Sequence, residues 1–165
     1  EIRLSLVGSE MCIRDRCSGI QDALEQEKLQ GSEIQMSLIT VDDTNTFSVE
    51  ESIRDIFMDQ TLPDIIICLN ELSTTCVYQA VVDYNCVGEI AILGYYDTDT
   101  ILKAIERNVI TATISIDTEQ MGAFCVDALQ EYYNYGYTSQ YFTADVTVID
   151  QSNVEEYLGK QEEAE

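Results

Sequence analysis

The sequence contains no histidine. That absence removes the side chain most used for proton transfer near neutral pH and for zinc, so Ser-His-Asp, Cys-His and HExxH arrangements are all excluded. Positive charge is scarce: 8 Lys and Arg stand against 31 Asp and Glu, a formal net charge of -23. Such a field repels phosphate backbones and anionic lipid headgroups, and no nucleic-acid or membrane-surface role is expected of this segment. No apolar run approaches the ~18 residues of a membrane span, and no signal peptide is recognisable. Neither a glycine-rich phosphate loop nor a GxSxG elbow is present. An enzyme built from this chain would have to work with carboxylates such as Glu71, Asp97 or Asp99, with tyrosine or with lysine. The expectation is a protein that is not an enzyme and uses no cofactor or metal.

What is present begins with size. At 165 residues and 45% hydrophobic, the chain is long enough for one domain with its own core. The six cysteines, at 12, 17, 68, 76, 86 and 125, show no CxxC and no regular spacing, which points to neither a zinc site nor a redox dithiol. Cys68 and Cys125 lie inside apolar runs and are expected to pack as small hydrophobes.

The first sixteen residues stand apart. "MCIRDR", Met11 to Arg16, is what ATG TGT ATA AGA GAC followed by AGA or AGG encodes, and it resembles the transposon-end adapter of short-read sequencing libraries. Three of the eight basic residues (Arg3, Arg14, Arg16) fall here with Glu1, Glu10 and Asp15, so this stretch has no net charge. Residues 1–16 are read as translated adapter and set aside from fold reasoning. The native chain then begins near Cys17, and the missing signal peptide carries no information on localisation.

From residue 17 onward, short apolar runs alternate with helical patterns, which predicts an α/β fold, a parallel sheet with helices on both faces. Strands are expected at 34–41, 64–69, 89–94, 110–116 and 145–150. Ser48 with Glu51 reads as a capping box opening a helix that turns Val49, Ile53, Ile56 and Phe57 to one side. Leu72, Cys76, Ala80 and Tyr84 mark a second helix. Asp117 with Gln120 opens a third, along which Met121, Phe124, Cys125, Ala128, Leu129 and Tyr132 follow the i, i+3, i+4, i+7 spacing until Gly136 ends it. The tail at 158–165 is charged and expected to fray.

Ligands of open α/β sheets bind beyond the carboxyl ends of the strands. Here each such end is polar: "DDTN" at 42–45, "NELS" at 70–73, "YYDTD" at 95–99 and "DTEQ" at 117–120. Aromatic faces beside amides and carboxylates suit a sugar or similar polyol, since rings cover its C–H surface while acids accept from its hydroxyls. The same Asp, Asn, Ser and Thr also cap helices with no ligand present. Asp42 and Asp43 could pair on magnesium, but no third acid stands at a defined strand end.

The run from Pro63 to Leu129 resembles the C-terminal half of the type I periplasmic-binding family, which includes sugar-binding proteins of ABC transporters and the effector domains of lac repressor-type regulators. The resemblance rests on Asn70-Glu71, Gln79-Ala80-Val81, Gly94-Tyr95-Tyr96, Ala112-Thr113-Ile114 and Met121-Gly122. It covers residues 17–157 and implies a truncated chain. On this reading the chain supplies most of a second lobe, hinge crossings near Asp117 and Asp145, and, at 118–144, a segment belonging to an otherwise missing first lobe.

By the same resemblance Asn70, Glu71, Tyr95, Tyr96, Asp97 and Ile116 face the ligand. Two positions depart from the pentose-binding pattern: Tyr96 stands where an acid usually follows Gly-Phe/Tyr, with Asp97 one place later, and Ile116 replaces a polar residue. The implied function is an extracytoplasmic solute-binding protein delivering a sugar or polyol to an ABC permease. The alternative is the ligand-sensing domain of a regulator or membrane sensor, cytoplasmic in the regulator case.

Overall fold

The computed structural model describes residues 2–6, 10–29, 31, 33–41, 46–58 and 62–162. In chain order the elements are β1 (Ile2–Leu6), α1 (Glu10–Leu29), β2 (Met36–Thr40), α2 (Thr46–Met58), β3 (Ile65–Cys68), α3 (Glu71–Asp83), β4 (Ala91–Tyr95), α4 (Asp99–Glu106), β5 (Ala112–Ile116), α5 (Thr118–Tyr135), β6 (Val146–Asp150) and α6 (Val154–Glu162). The strands form one sheet in the order β2-β1-β3-β4-β5-β6. The order reverses between β1 and β3, which makes the carboxyl end of β3 a topological switch point, the usual place for a ligand crevice.

The alternating α/β reading is confirmed, with two corrections to the sheet. The first is β6, which runs antiparallel to β5. The chain leaves β5 through Asp117 and returns through Asp145 at that same end, the Asp117 N–H donating to the Asp145 carbonyl at 3.0 Å. A strand that re-enters where its neighbour left has to run the opposite way. The second is β1, which pairs parallel with both β2 and β3 inside the stretch set aside as adapter. Its Ile2, Leu4 and Leu6 alternate with Arg3 and Ser5, the period of a strand.

The main core lies on one side of the sheet. Val49, Ile53 and Ile56 of α2, Val77 and Val81 of α3, and Ile101, Leu102 and Ile105 of α4 bury against Ile66 and Cys68 of β3 and Ile92 of β4, joined by Ile149 and Val154. Each such side chain contributes roughly 1.5–3 kcal/mol by leaving water. On the opposite side α1 sets Ile13, Cys17 and Ile20 against Leu69, Ile67 and Met36. Farther along that side Ile114, Val146 and Val148 are exposed, so the sheet is covered there only over its first strands.

Several local expectations shift. α2 starts at Thr46, so Ser48 lies inside it, its carbonyl accepting from Ser52 Oγ at 2.9 Å, and the Ser48/Glu51 pair is not the helix entry. α4 was not predicted, although its Ile101, Leu102, Ala104 and Ile105 are all buried. The tail expected to fray from residue 158 continues as α6 to Glu162. The opening of α5 behaves as read: Asp117 Oδ1 accepts from the Gln120 N–H at 2.8 Å, and Gly136 closes the helix at φ +79 with its N–H on the Tyr132 carbonyl. Glycine takes that left-handed turn without the clash a Cβ would meet.

α5 buries no residue. Met121, Val126, Leu129 and Tyr132 are each half exposed or more, and Cys125, expected in a core, is exposed. The apolar periodicity is real, but among the described residues it is contacted only in part, the Phe142 ring lying 5.3 Å from that of Phe124.

Candidate ligand-binding edge

The polar loops meet at the carboxyl ends of β3, β4 and β5, and their joints are made by threonine and serine. Asn70 follows β3 and caps α3: its Oδ1 accepts from the Ser73 N–H at 2.8 Å and from the Ser73 hydroxyl. Thr74, fully buried, donates from Oγ1 to the Asn70 carbonyl at 2.7 Å and accepts from the Tyr95 N–H at 3.1 Å. One hydroxyl thereby fixes the end of β3 relative to the end of β4. Gly94 makes room for this joint, since a Cβ there would stand 2.6 Å from Thr74 Cγ2 and 3.2 Å from Thr113 Oγ1.

The β4–β5 joint is built in the same way. Tyr96 sits at φ +75, its N–H donating to the Ile114 carbonyl at 2.8 Å, while Thr113 Oγ1 donates to the Tyr96 carbonyl at 2.6 Å. The Tyr95 ring is buried and meets the half-buried Tyr96 ring edge to face, centroids 5.0 Å apart at 80°. Ser115 Oγ donates to Asp97 Oδ2 at 2.9 Å, holding that carboxylate over the end of β5. On the other flank of Tyr95 the Arg16 guanidinium lies 3.8 Å from the ring centroid and donates to the Leu69 carbonyl at 2.7 Å. Arg16 belongs to the stretch read as adapter, and we assign it no role in binding.

A hollow of about 410 Å³ opens at the β5–β6 end of this edge, lined by Asp97, Ser115, Ile116, Asp117, Asp145 and Tyr157 among others. Of the residues expected to face a ligand, Asp97 and Ile116 line it together with both expected hinge residues. Asn70, Glu71, Tyr95 and Tyr96 do not line it; they stand along the same strand ends, tied to it through Thr74 and Thr113. Glu71 begins α3 and is exposed.

Capping accounts for part of this polarity. Asn70 and Asp117 are both spent as caps, as the ligand-free explanation requires. The loop at 95–99 is different. Thr98 precedes α4 without a side-chain cap bond, and its hydroxyl is buried without a partner. Asp99 pairs with Lys103 at 2.7 Å on the exposed side. Residues 42–45, including Asp42 and Asp43, lie outside the described residues. Among the described residues no group of acids or thiols is placed to hold a metal ion. Thr113 enters the sequence reading only as part of the Ala112-Thr113-Ile114 motif, and Thr74 and Ser115 not at all; for Thr113 and Ser115 the available signal is a polar residue at alternate positions of the otherwise apolar "TATISI".

No known family profile matches the chain, and no curated protein sequence does. Solved structures do match. GanP, a glucose-galactose binding protein from Geobacillus stearothermophilus, aligns with a TM-score of 0.77 at 18% identity, over 92% of this chain and 53% of its own. A periplasmic ribose ABC transporter protein from Conexibacter woesei gives 0.79 at 14% identity, over 96% of this chain and 53% of its own. A carbohydrate transporter from Acidothermus cellulolyticus, solved with myo-inositol, gives 0.77 at 21% identity, over 98% and 55%. The chain has the type I periplasmic-binding fold. It spans about half the length of these neighbours. These three neighbours are described as sugar-binding or transport proteins and lend no support to the regulator reading. No helix among the described residues is long and apolar enough to cross a membrane.

Proposed function

We propose that this chain is one lobe, with part of its neighbour, of an extracytoplasmic solute-binding protein that closes on a sugar or similar small polyol and presents it to an ABC permease. The ligand is bound and released unchanged. The observation that carries the reading is the half-length match to three sugar- or carbohydrate-related structures together with α5, an amphipathic helix that buries no residue although its Phe124 ring meets Phe142. A first lobe supplied by chain outside this sequence would cover Met121, Leu129 and Tyr132, and 118–144 would then belong to it, between crossings at Asp117 and Asp145. Closure about two adjacent crossings is the hinge motion open to such a pair of lobes.

The edge itself supports the ligand class. It offers tyrosine rings, a carboxylate and an amide, and no side chain able to act as a histidine-type base. Calorimetry of the complete gene product against hexoses, pentoses, cyclitols and open-chain polyols tests the reading. Saturable binding of at least one of them is expected; flat titrations across the panel would remove it.

A further inference from the structure

We propose that the hollow at the β5–β6 end of the edge receives a positively charged group, so that the ligand is an amino sugar or amino polyol and not its uncharged parent. The assignment rests on the sugar-binding reading above and names the charge that reading leaves open.

The carboxylates of Asp97, Asp117, Glu119 and Asp145 line this hollow, and among the described residues no lysine or arginine does. Each acid has a local reason to stand there. Asp97 accepts from the Ser115 hydroxyl, Asp117 caps α5, and Asp145 accepts from the Gln120 side chain. Glu119 lies in the first turn of α5, where negative charge is favoured. The donors in these three bonds are neutral, so the bonds place the carboxylates without offsetting their charge. Local reasons account for each position; they do not account for all of them bordering one space.

Asp117, Glu119 and Asp145 are exposed, and in the open edge water and salt screen them from one another. A lobe closing over the ligand would expel that water, and a carboxylate taken out of water is costly unless a cation meets it. The hydroxyls of a neutral sugar donate hydrogen bonds but leave the charge standing. An ammonium meets it directly, through charge-assisted bonds about twice as strong as neutral ones. The rest of the lining suits the remainder of such a molecule, with Thr118 and Thr147 for its hydroxyls and Leu102 and Ile116 for its carbon frame.

A second observation, independent of these acids, lies along the same strand ends. The Arg16 guanidinium is seated 3.8 Å from the Tyr95 ring centroid and donates to the Leu69 carbonyl at 2.7 Å. Arg16 falls in the stretch read as adapter and is no part of the proposed site. Its placement shows that the ends of β3 and β4 take a cation between an aromatic face and a carbonyl. Positive charge is thus favoured at both ends of the edge.

The test is calorimetry on the complete gene product at about pH 6, where a primary amine and the carboxylates are both charged. The probes are two matched sets: glucose, glucosamine and N-acetylglucosamine, then galactose, galactosamine and N-acetylgalactosamine. The N-acetyl sugars keep a substituent at the same carbon and remove its charge. In at least one set the amine should bind about tenfold or more tightly than both uncharged members, the scale that separates a charge-assisted bond from a neutral one. Asp97→Asn and Glu119→Gln each delete one charge while keeping the shape, and each should lower that ratio in protein whose melting transition stays cooperative. Uncharged sugars that bind as tightly as their amines, or a ratio unmoved in both variants, overturn the assignment and leave the sugar-binding reading intact. Silence from all six beside a binder in the wider sugar and polyol panel overturns it alone; silence in both removes both.

Discussion

Gln120 grips Asp145 at two points, its Oε1 accepting from the Asp145 N–H at 2.7 Å and its Nε2 donating to Asp145 Oδ2 at 3.3 Å. Its own N–H is held by Asp117 Oδ1 at 2.8 Å. One side chain and one amide thus tie the segment leaving β5 at Asp117 to the one entering β6 at Asp145. Gln120→Ala should destabilise by about 1 kcal/mol, the scale of a pair of exposed hydrogen bonds. Gln120→Glu should cost more at neutral pH, because it removes the donor and sets a second carboxylate beside Asp145. Thermal unfolding of both variants checks this, and parental midpoints in both would show that the grip contributes nothing.

Gly94 is required by contact, not by backbone angle. A methyl there would fall 2.6 Å from Thr74 Cγ2, and Thr74 cannot swing aside because its hydroxyl is held on two sides. Gly94→Ala should destabilise by about 1–3 kcal/mol, as overpacked cores do. Thr74→Ser keeps the hydroxyl and deletes the offending methyl, so the double variant should recover most of that loss. Chemical unfolding of the four proteins in the cycle reads the coupling directly; simple additivity would mean that the clash is relieved elsewhere.

Asn70 is both a helix cap and an expected ligand residue, and two substitutions separate those roles. Asn70→Ala loses the bond from the Ser73 N–H and should cost about 1 kcal/mol. Asn70→Asp keeps an acceptor at the start of α3, where negative charge is favoured, and should stay near parental stability. If the amide also serves the ligand, both variants weaken binding and only one weakens the fold. Parallel calorimetry and thermal unfolding distinguish the cases, and parental affinity in Asn70→Asp would confine Asn70 to capping.

How much of this was legible depended on whether the signal was local. The apolar run at β3, the Asp117/Gln120 opening and the Gly136 stop of α5 are decided by neighbouring residues, and each is found in place. α4 escaped notice because eight residues give only two turns of periodicity. The antiparallel sense of β6 is set by where Asp145 meets Asp117, a contact between positions far apart in the chain that no local window reveals. The site was legible as a row of polar strand ends. Its joints were not, since a threonine within an apolar strand reads as ordinary strand composition until Thr74 and Thr113 are seen bridging to Tyr95 and Tyr96. Cys125 shows the opposite failure: helical spacing correctly marks an apolar stripe, but a stripe does not say whether its partner is present.

That failure yields the most discriminating measurement on the cysteines. Cys68 is fully buried at the end of β3, and desolvation pushes its thiol up to about 12, against a smaller lowering by the Thr74 hydroxyl. Burial also raises Cys17 and Cys76, with the Glu50 charge adding to the effect at Cys76. The thiolate is the species that reacts, so these thiols should resist alkylation at about pH 8 while the fold holds. Cys125 is exposed on α5 and should be alkylated ahead of them in the chain as it stands. The complete gene product makes the contrast: if a first lobe lies over α5, Cys125 becomes protected there and labels only on unfolding. Iodoacetamide labelling followed by peptide mass mapping on both proteins reads this. Equal and fast labelling of Cys125 in the two would mean that nothing covers α5, and the two-lobed reading would fail at the helix that motivates it.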